Sequence, residues 1–186
     1  MKLKTTFSLV IGLLLASWNA RAATIFLTIP GNTPWTDTGI LVGAGNGVTI
    51  IASNTVSWGG ASTDPNGVGP FRDGTQMLPT VIVPTAIIDS LVGKVGGTTA
   101  IGTGTALPEG KPGKGAGFVG SPYSQISPVS GELFLGFNDD HFEDNSGSYS
   151  VWITVVPEPS SVALIGLGIA VVSVKARRLK RAGKSA

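Results

Sequence analysis

The body of this chain is predicted to be all-β, an antiparallel β-sandwich, on three observations. Helical periodicity is absent from positions 23 to 156. Short runs rich in β-branched and aromatic residues recur there between Gly, Pro, Asn and Asp. Two of those runs alternate with a period of two, so that Leu133, Leu135 and Phe137 share one face of a strand, as do Tyr149, Val151, Ile153 and Val155. Strands this numerous, with no helices between them, have only one another to bury their apolar faces against.

In chain order, the first element is a targeting segment. Lys2 and Lys4 precede the apolar run Phe7 to Ala16, and Ala20-Arg21-Ala22 places small residues where a signal peptidase reads them. Residues 1 to 22 are expected to be a secretory signal peptide, with cleavage between Ala22 and Ala23; the alternative is an uncleaved N-terminal anchor. Strands are then expected at "TIFLTI" (24 to 29), "GVTIIA" (47 to 52), "TVSW" (55 to 58), "TVIV" (80 to 83), "SLVGKVG" (90 to 96), "ELFLGFN" (132 to 138) and "SYSVWITVV" (148 to 156). The Gly- and Pro-dense stretch from Gly93 to Gly120 reads as long loops. Its "GTGTALPEGKPGKG" has neither the Walker nor the dinucleotide spacing in a strand-to-helix setting, which argues against phosphate binding.

The two ends dominate the bulk charge. Of 13 Lys and Arg only Arg72, Lys94, Lys111 and Lys114 lie in residues 23 to 156, against ten of the 11 acids, so the body carries a formal charge of −6. A body of that sign disfavours nucleic acid as a partner. No cysteine is present, which excludes a disulfide framework, an iron-sulfur cluster and a thiol nucleophile.

The tail has an order of its own. Pro157-Glu158-Pro159 follows the last strand, a charge-free run from Pro159 to Val174 comes next, and "KARRLKR" (175 to 181) closes it. Pro157 and Pro159 cannot continue a ladder. The 16-residue apolar run reaches roughly 24 Å as a helix, just enough for a hydrocarbon core of about 30 Å. The basic cluster stays cytoplasmic by the positive-inside rule and leaves the body outside. "VPEPSSVALIGLGIAVVSVKARRLKRAGKSA" as a whole resembles the PEP-CTERM protein-sorting signal. That resemblance implies an exosortase that cuts near Pro157-Glu158-Pro159 and releases the body to the cell surface or an exopolysaccharide matrix. The alternative is a permanent C-terminal membrane anchor. The expected organisation is a signal peptide (1 to 22), one β-sandwich domain (23 to 156) and a sorting signal with a transmembrane helix (157 to 181).

Within the body, "GELFLGFNDDHFEDNSGSYSVWITV" (131 to 155) concentrates the chemistry. Asp139, Asp140, Glu143 and Asp144 put four carboxylates within six residues of a hairpin loop, beside Asn138 and Asn145. Carboxylates so crowded repel unless water or a cation screens them, and a hard cation such as calcium takes oxygen ligands of this kind. The same residues also make a good turn, with Asn145 and Gly147 able to adopt positive φ. From the residues alone, a calcium loop and an ordinary acidic turn both stand. The segment further resembles the C-terminal hairpin of LecA-type (PA-IL-like) galactose-binding lectins, where a strand ending in Asn-Asp leads through a short loop into Asn-Asn-Ser-Gly-Ser and the final strand. "GNGVTIIASNTVSW" (45 to 58) and "SLVGKVG" extend the similarity.

That second resemblance implies a jelly-roll-like β-sandwich that binds Ca2+ and, through it, galactosides or other extracellular polysaccharide. Carried over, the calcium ligands are Asp139, Asp144 and Asn145, with main-chain carbonyls at Trp58 and Phe142. The loop here is two residues shorter than the family's, and Asp144 stands where the family has Asn. "PFRDGTQML" (70 to 78) offers Gln76, in no fixed register, for the family's sugar-contacting Gln. His141, the one histidine, reads as a solvated loop side chain. Trp58 and Trp35 are either a stacking platform for a sugar ring or core. Acids crowded on one loop do not flank a cleft as glycosidase carboxylates do, so a binding protein is expected rather than an enzyme. A matrix component of the same fold that binds no ligand is the competing expectation.

Overall fold

The computed structural model describes residues 22 to 67 and 80 to 157. The expected signal peptide up to Arg21, Gln76, Glu158, Pro159 and the expected transmembrane helix lie outside the described residues. Ala22–Pro157 forms a compact unit of its own.

That unit is an antiparallel β-sandwich of ten strands among the described residues: β1 (Ala23–Pro30), β2 (Thr36–Val42), β3 (Gly47–Ser53), β4 (Val56–Trp58), β5 (Ala61–Thr63), β6 (Leu91–Val95), β7 (Thr105–Ala106), β8 (Tyr123–Ile126), β9 (Gly131–Phe137) and β10 (Ser146–Val156). The first sheet is built around β10. On one flank β1 pairs with it from Ala23↔Val155 to Pro30↔Ser148. On the other flank β3 does so from Ser150↔Ser53 to Val156↔Gly47, and β4 carries the same register on to Gly147↔Val56. β8 then pairs with β3 and β5 with β4. The second sheet has the order β2-β9-β6-β7. The chain passes back and forth between the sheets, in the manner expected of a jelly-roll-like sandwich.

The period-two faces meet between the sheets. Tyr149, Val151 and Ile153 of β10, Val48 and Ile50 of β3 and Ile29 of β1 pack against Leu133, Leu135 and Phe137 of β9 and Leu91 of β6, all buried. The second sheet is buried on its other face as well. There Val92 and Phe134 lie under Trp35, Ile82, Val83, Ala86, Ile87 and Phe118. Ile82 and Val83 come from the run expected to be a strand at 80 to 83, and that expectation is corrected: residues 80 to 90 form turns and bends. Their backbone finds its partners elsewhere. Asn138, fully buried at the end of β9, accepts from the Val83 N–H at 2.9 Å and donates from Nδ2 to the carbonyls of Val83, Ala86 and Ile87 at 2.9 to 3.2 Å. One amide side chain does the work of a neighbouring strand, which satisfies a buried backbone without a ladder.

Candidate functional site

The loop between β9 and β10 starts at Asn138 and ends at Asn145, and both ends are buried. Asp139, 8% exposed, folds the loop back on itself: its Oδ1 accepts from the backbone N–H of Asp140 at 2.7 Å and of His141 at 3.3 Å. Its Oδ2 accepts from Nδ2 of Asn145 at 2.9 Å. The same Nδ2 donates to the carbonyl of Gly31 at 3.0 Å, tying the hairpin to the end of β1. Asn145 is 8% exposed, and its Oδ1 is buried with no hydrogen-bond partner. A buried acceptor left unpaired costs about 1–3 kcal/mol. The exit into β10 runs through Gly147 at φ 80, where a Cβ would come within 2.7 Å of the Thr55 carbonyl oxygen. Positive φ therefore falls on Gly147 but not on Asn145.

The other expected ligands lie around this pair. Asp144 is exposed, and its Oδ2 would be 3.9 Å from a Cβ on Gly59, which puts it against the turn that follows Trp58. Trp58 is half-buried, its ring 6.0 Å from that of Phe137. The Phe142 carbonyl accepts from the Asn145 N–H at 3.4 Å, and the Phe142 ring packs against the second apolar cluster. The structure thus brings Asp139 and Asn145 into contact and sets Asp144 beside Trp58-Gly59. Among the described residues no three His, Asp or Glu side chains converge as metal ligands; the expected set holds only two carboxylates, the rest being amide and carbonyl oxygens. Asp140 and His141 point outward and lie 3.5 Å apart. Hydrogen bonding from Thr80 holds the Asp140 carboxyl below its ordinary value.

One member of this region was not anticipated. Asp89, 7% exposed and at φ 56, donates its backbone N–H to the Asn138 carbonyl. Burial, and after it the charges of Asp139 and Asp140, push its carboxyl up to about 7. No Lys or Arg among the described residues pairs with Asp89 or Asp139. The signal for Asp89 was a single acid inside the apolar run "AIIDSLV".

Trp35 is not part of a stacking platform. It is 6% exposed in the second cluster, with the Lys94 ammonium 4.4 Å from its ring. Lys94 is itself buried and donates to the carbonyls of Thr98 and Ala100 and to Oγ1 of Thr103, so it secures the loop after β6.

Beyond the hairpin, β10 ends at Val156 and Pro157 follows. Residues 155–178 match the PEP-CTERM protein-sorting motif. The chain carries a PEP-CTERM sorting signal. The motif marks it for export and for exosortase-dependent delivery to the surface or exterior of a bacterium, and it begins inside the last strand, on Val155. Among solved structures the fold is similar to one described as "EclA N-terminal domain; PllA-like lectin", at 23% identity over 71% of this chain and 97% of that chain, with a TM-score of 0.39. No curated protein matches.

Proposed function

We propose that the exported body is a calcium-dependent carbohydrate-binding protein, acting at the cell surface or in the exopolysaccharide matrix. Asp139, Asp144 and Asn145 would hold the ion, with the main-chain carbonyls of Trp58 and Phe142. The observation that carries this reading is the unpartnered Oδ1 of Asn145, buried beside a buried carboxylate that no described cation neutralises. The donor set is all oxygen, which suits calcium and not a nitrogen- or sulfur-seeking metal. Bound there, the ion would supply open coordination positions for vicinal hydroxyls of a sugar. Asp139 would fix the charge at the rigid end of β9, Asn145 would orient the amide oxygen through its bonds to Gly31 and Asp139, and Asp144 would close the site from the solvent side.

A competing reading has its own support. Nδ2 of Asn145 already bridges two oxygens, Gly31 O and Asp139 Oδ2, as a cation would, and a hairpin so closed fits a matrix component without ligand. A glycan array probed in calcium and again in EDTA separates the two: glycan binding that the chelator removes is expected, and binding to nothing under either condition would contradict the proposal.

Export and maturation belong to the same reading. Signal peptidase would cut before Ala23, and exosortase near Pro157-Glu158-Pro159, after the tail helix has held the chain in the membrane. Intact-mass measurement of surface material is expected to give a chain from Ala23 to about Glu158. A mass that includes "KARRLKR" would mean a permanent anchor.

A further inference from the structure

Edges of sheets are open templates unless something blunts them, and among the described residues all but one are blunted. β7 has two residues, β5 three and β8 four. β2 is interrupted by a register shift between Asp37 and Leu41, around Gly39 at φ 66, and carries a charge at Asp37. β1 differs from all of these. Its eight residues, "ATIFLTIP", pair in continuous register with β10 on one side, contain no charge, and meet no strand on the other side among the described residues. Phe26 is 53% exposed and Ile25 40%.

The order of residues in β1 names the occupant. Thr24-Ile25-Phe26-Leu27-Thr28 reads nearly the same in both directions. An antiparallel strand of the same sequence centred on Phe26 would set Thr24 opposite Thr28, Ile25 opposite Leu27 and Phe26 opposite Phe26. Self-complementarity of this kind is the requirement of a two-fold contact. The outer face continues the match. Phe26 lies opposite Trp152 and Trp152 opposite Ile51, both partners being exposed, and the rings of Phe26 and Trp152 are 5.0 Å apart. Two copies joined at β1 would extend this into one apolar row running from Ile51 of one copy to Ile51 of the other. The outward positions of β1, β3, β8 and β10 on this face are Thr, Ser, Phe, Trp, Ile, Val, Pro and Gly, with no charge. Two bodies of charge −6 can meet here without facing like charges.

We infer that the exported protein dimerises through β1, antiparallel and centred on Phe26, so that the two first sheets become one continuous sheet. The inference is independent of calcium and sugar binding. The chain has no cysteine, so single cysteines report on the contact in cells that export the full chain. Across an antiparallel pair Cα atoms are about 4.5–5.5 Å apart, inside the roughly 4.4–6.8 Å that a disulfide spans. Under mild oxidation Phe26→Cys is expected to give a covalent dimer, and Thr24→Cys co-expressed with Thr28→Cys a mixed one, leaving Phe26 in place. Trp152→Cys, about 14 Å from its counterpart across three strand spacings, is expected to form no covalent dimer. Sedimentation of the purified exported protein should show a dimer that Thr28→Lys weakens at least tenfold. Absence of both cross-links, cross-linking at Trp152→Cys equal to that at Phe26→Cys, or a monomeric unmodified protein would overturn the inference.

Discussion

Asp89 is a carboxyl held in apolar surroundings with two further acids as neighbours, and its protonation is tied to the folded state. Folding raises its affinity for a proton from the ordinary 3.8 to about 7. The stability it contributes is therefore fully present below about 4 and is lost as pH rises through about 7. With chelator present, so that no cation offsets Asp139, thermal melting is expected to fall across this window, and Asp89→Asn should flatten the slope. A slope unchanged in that variant would assign it to another group. Asp139 and Asn145 were legible in the sequence because both lie in one short acidic turn. Asp89 was not, because it reaches them only through the pairing of residues 89 and 90 with Asn138, some fifty positions away along the chain.

The elements most readily read were those that alternate. β9 and β10 carry inward residues at every second position, and the structure buries Leu133, Leu135, Phe137, Tyr149, Val151 and Ile153 completely. β2 was not legible although its burial alternates, because a Thr, Thr38, takes one of the inward positions beside Ile40 and Val42, and an apolar residue, Leu41, takes an outward one, which blurs the apolar pattern. β8 did so because Tyr123 is the one buried residue among its four. The run at 80 to 83 has strand composition yet no strand partner; its composition reflects burial over the second sheet, and Asn138 supplies the hydrogen bonds. Asn138→Ala removes the acceptor for Val83 N–H and the donors to three carbonyls. The Val83 and Ile87 carbonyls keep the Ala86 N–H and the Ser90 hydroxyl as donors, so the Val83 N–H and the Ala86 carbonyl are left unpaired, and at about 1–3 kcal/mol for each a loss of roughly 2–6 kcal/mol is expected. A urea titration with unchanged slope and a lowered midpoint would show it. A midpoint within about 0.5 kcal/mol of the unmodified protein would mean that the segment stays in place by apolar packing alone.

At the scale of the whole molecule, export and site are joined by one strand. β10 begins beside the acidic hairpin at Ser146, runs through the centre of the first sheet and ends where the sorting motif takes over. Ala23, at the start of β1, pairs with Val155, so both expected processing points lie at the same end of adjacent strands, and cutting at either leaves the ladder whole. The hairpin lies at the opposite end of β10. An ion bound there would engage the folded unit and not the unfolded chain, and would stabilise it by about 2.7 kcal/mol at a hundredfold excess over its dissociation constant. Melting of the exported protein in millimolar calcium, against the same sample in chelator, tests this most directly. The melting temperature should rise with calcium and return with chelator, Asp139→Ala should abolish the response, and Asp140→Ala, whose side chain faces solvent, should keep it. A melting curve indifferent to calcium would contradict the proposed site and leave the hairpin a closed acidic turn.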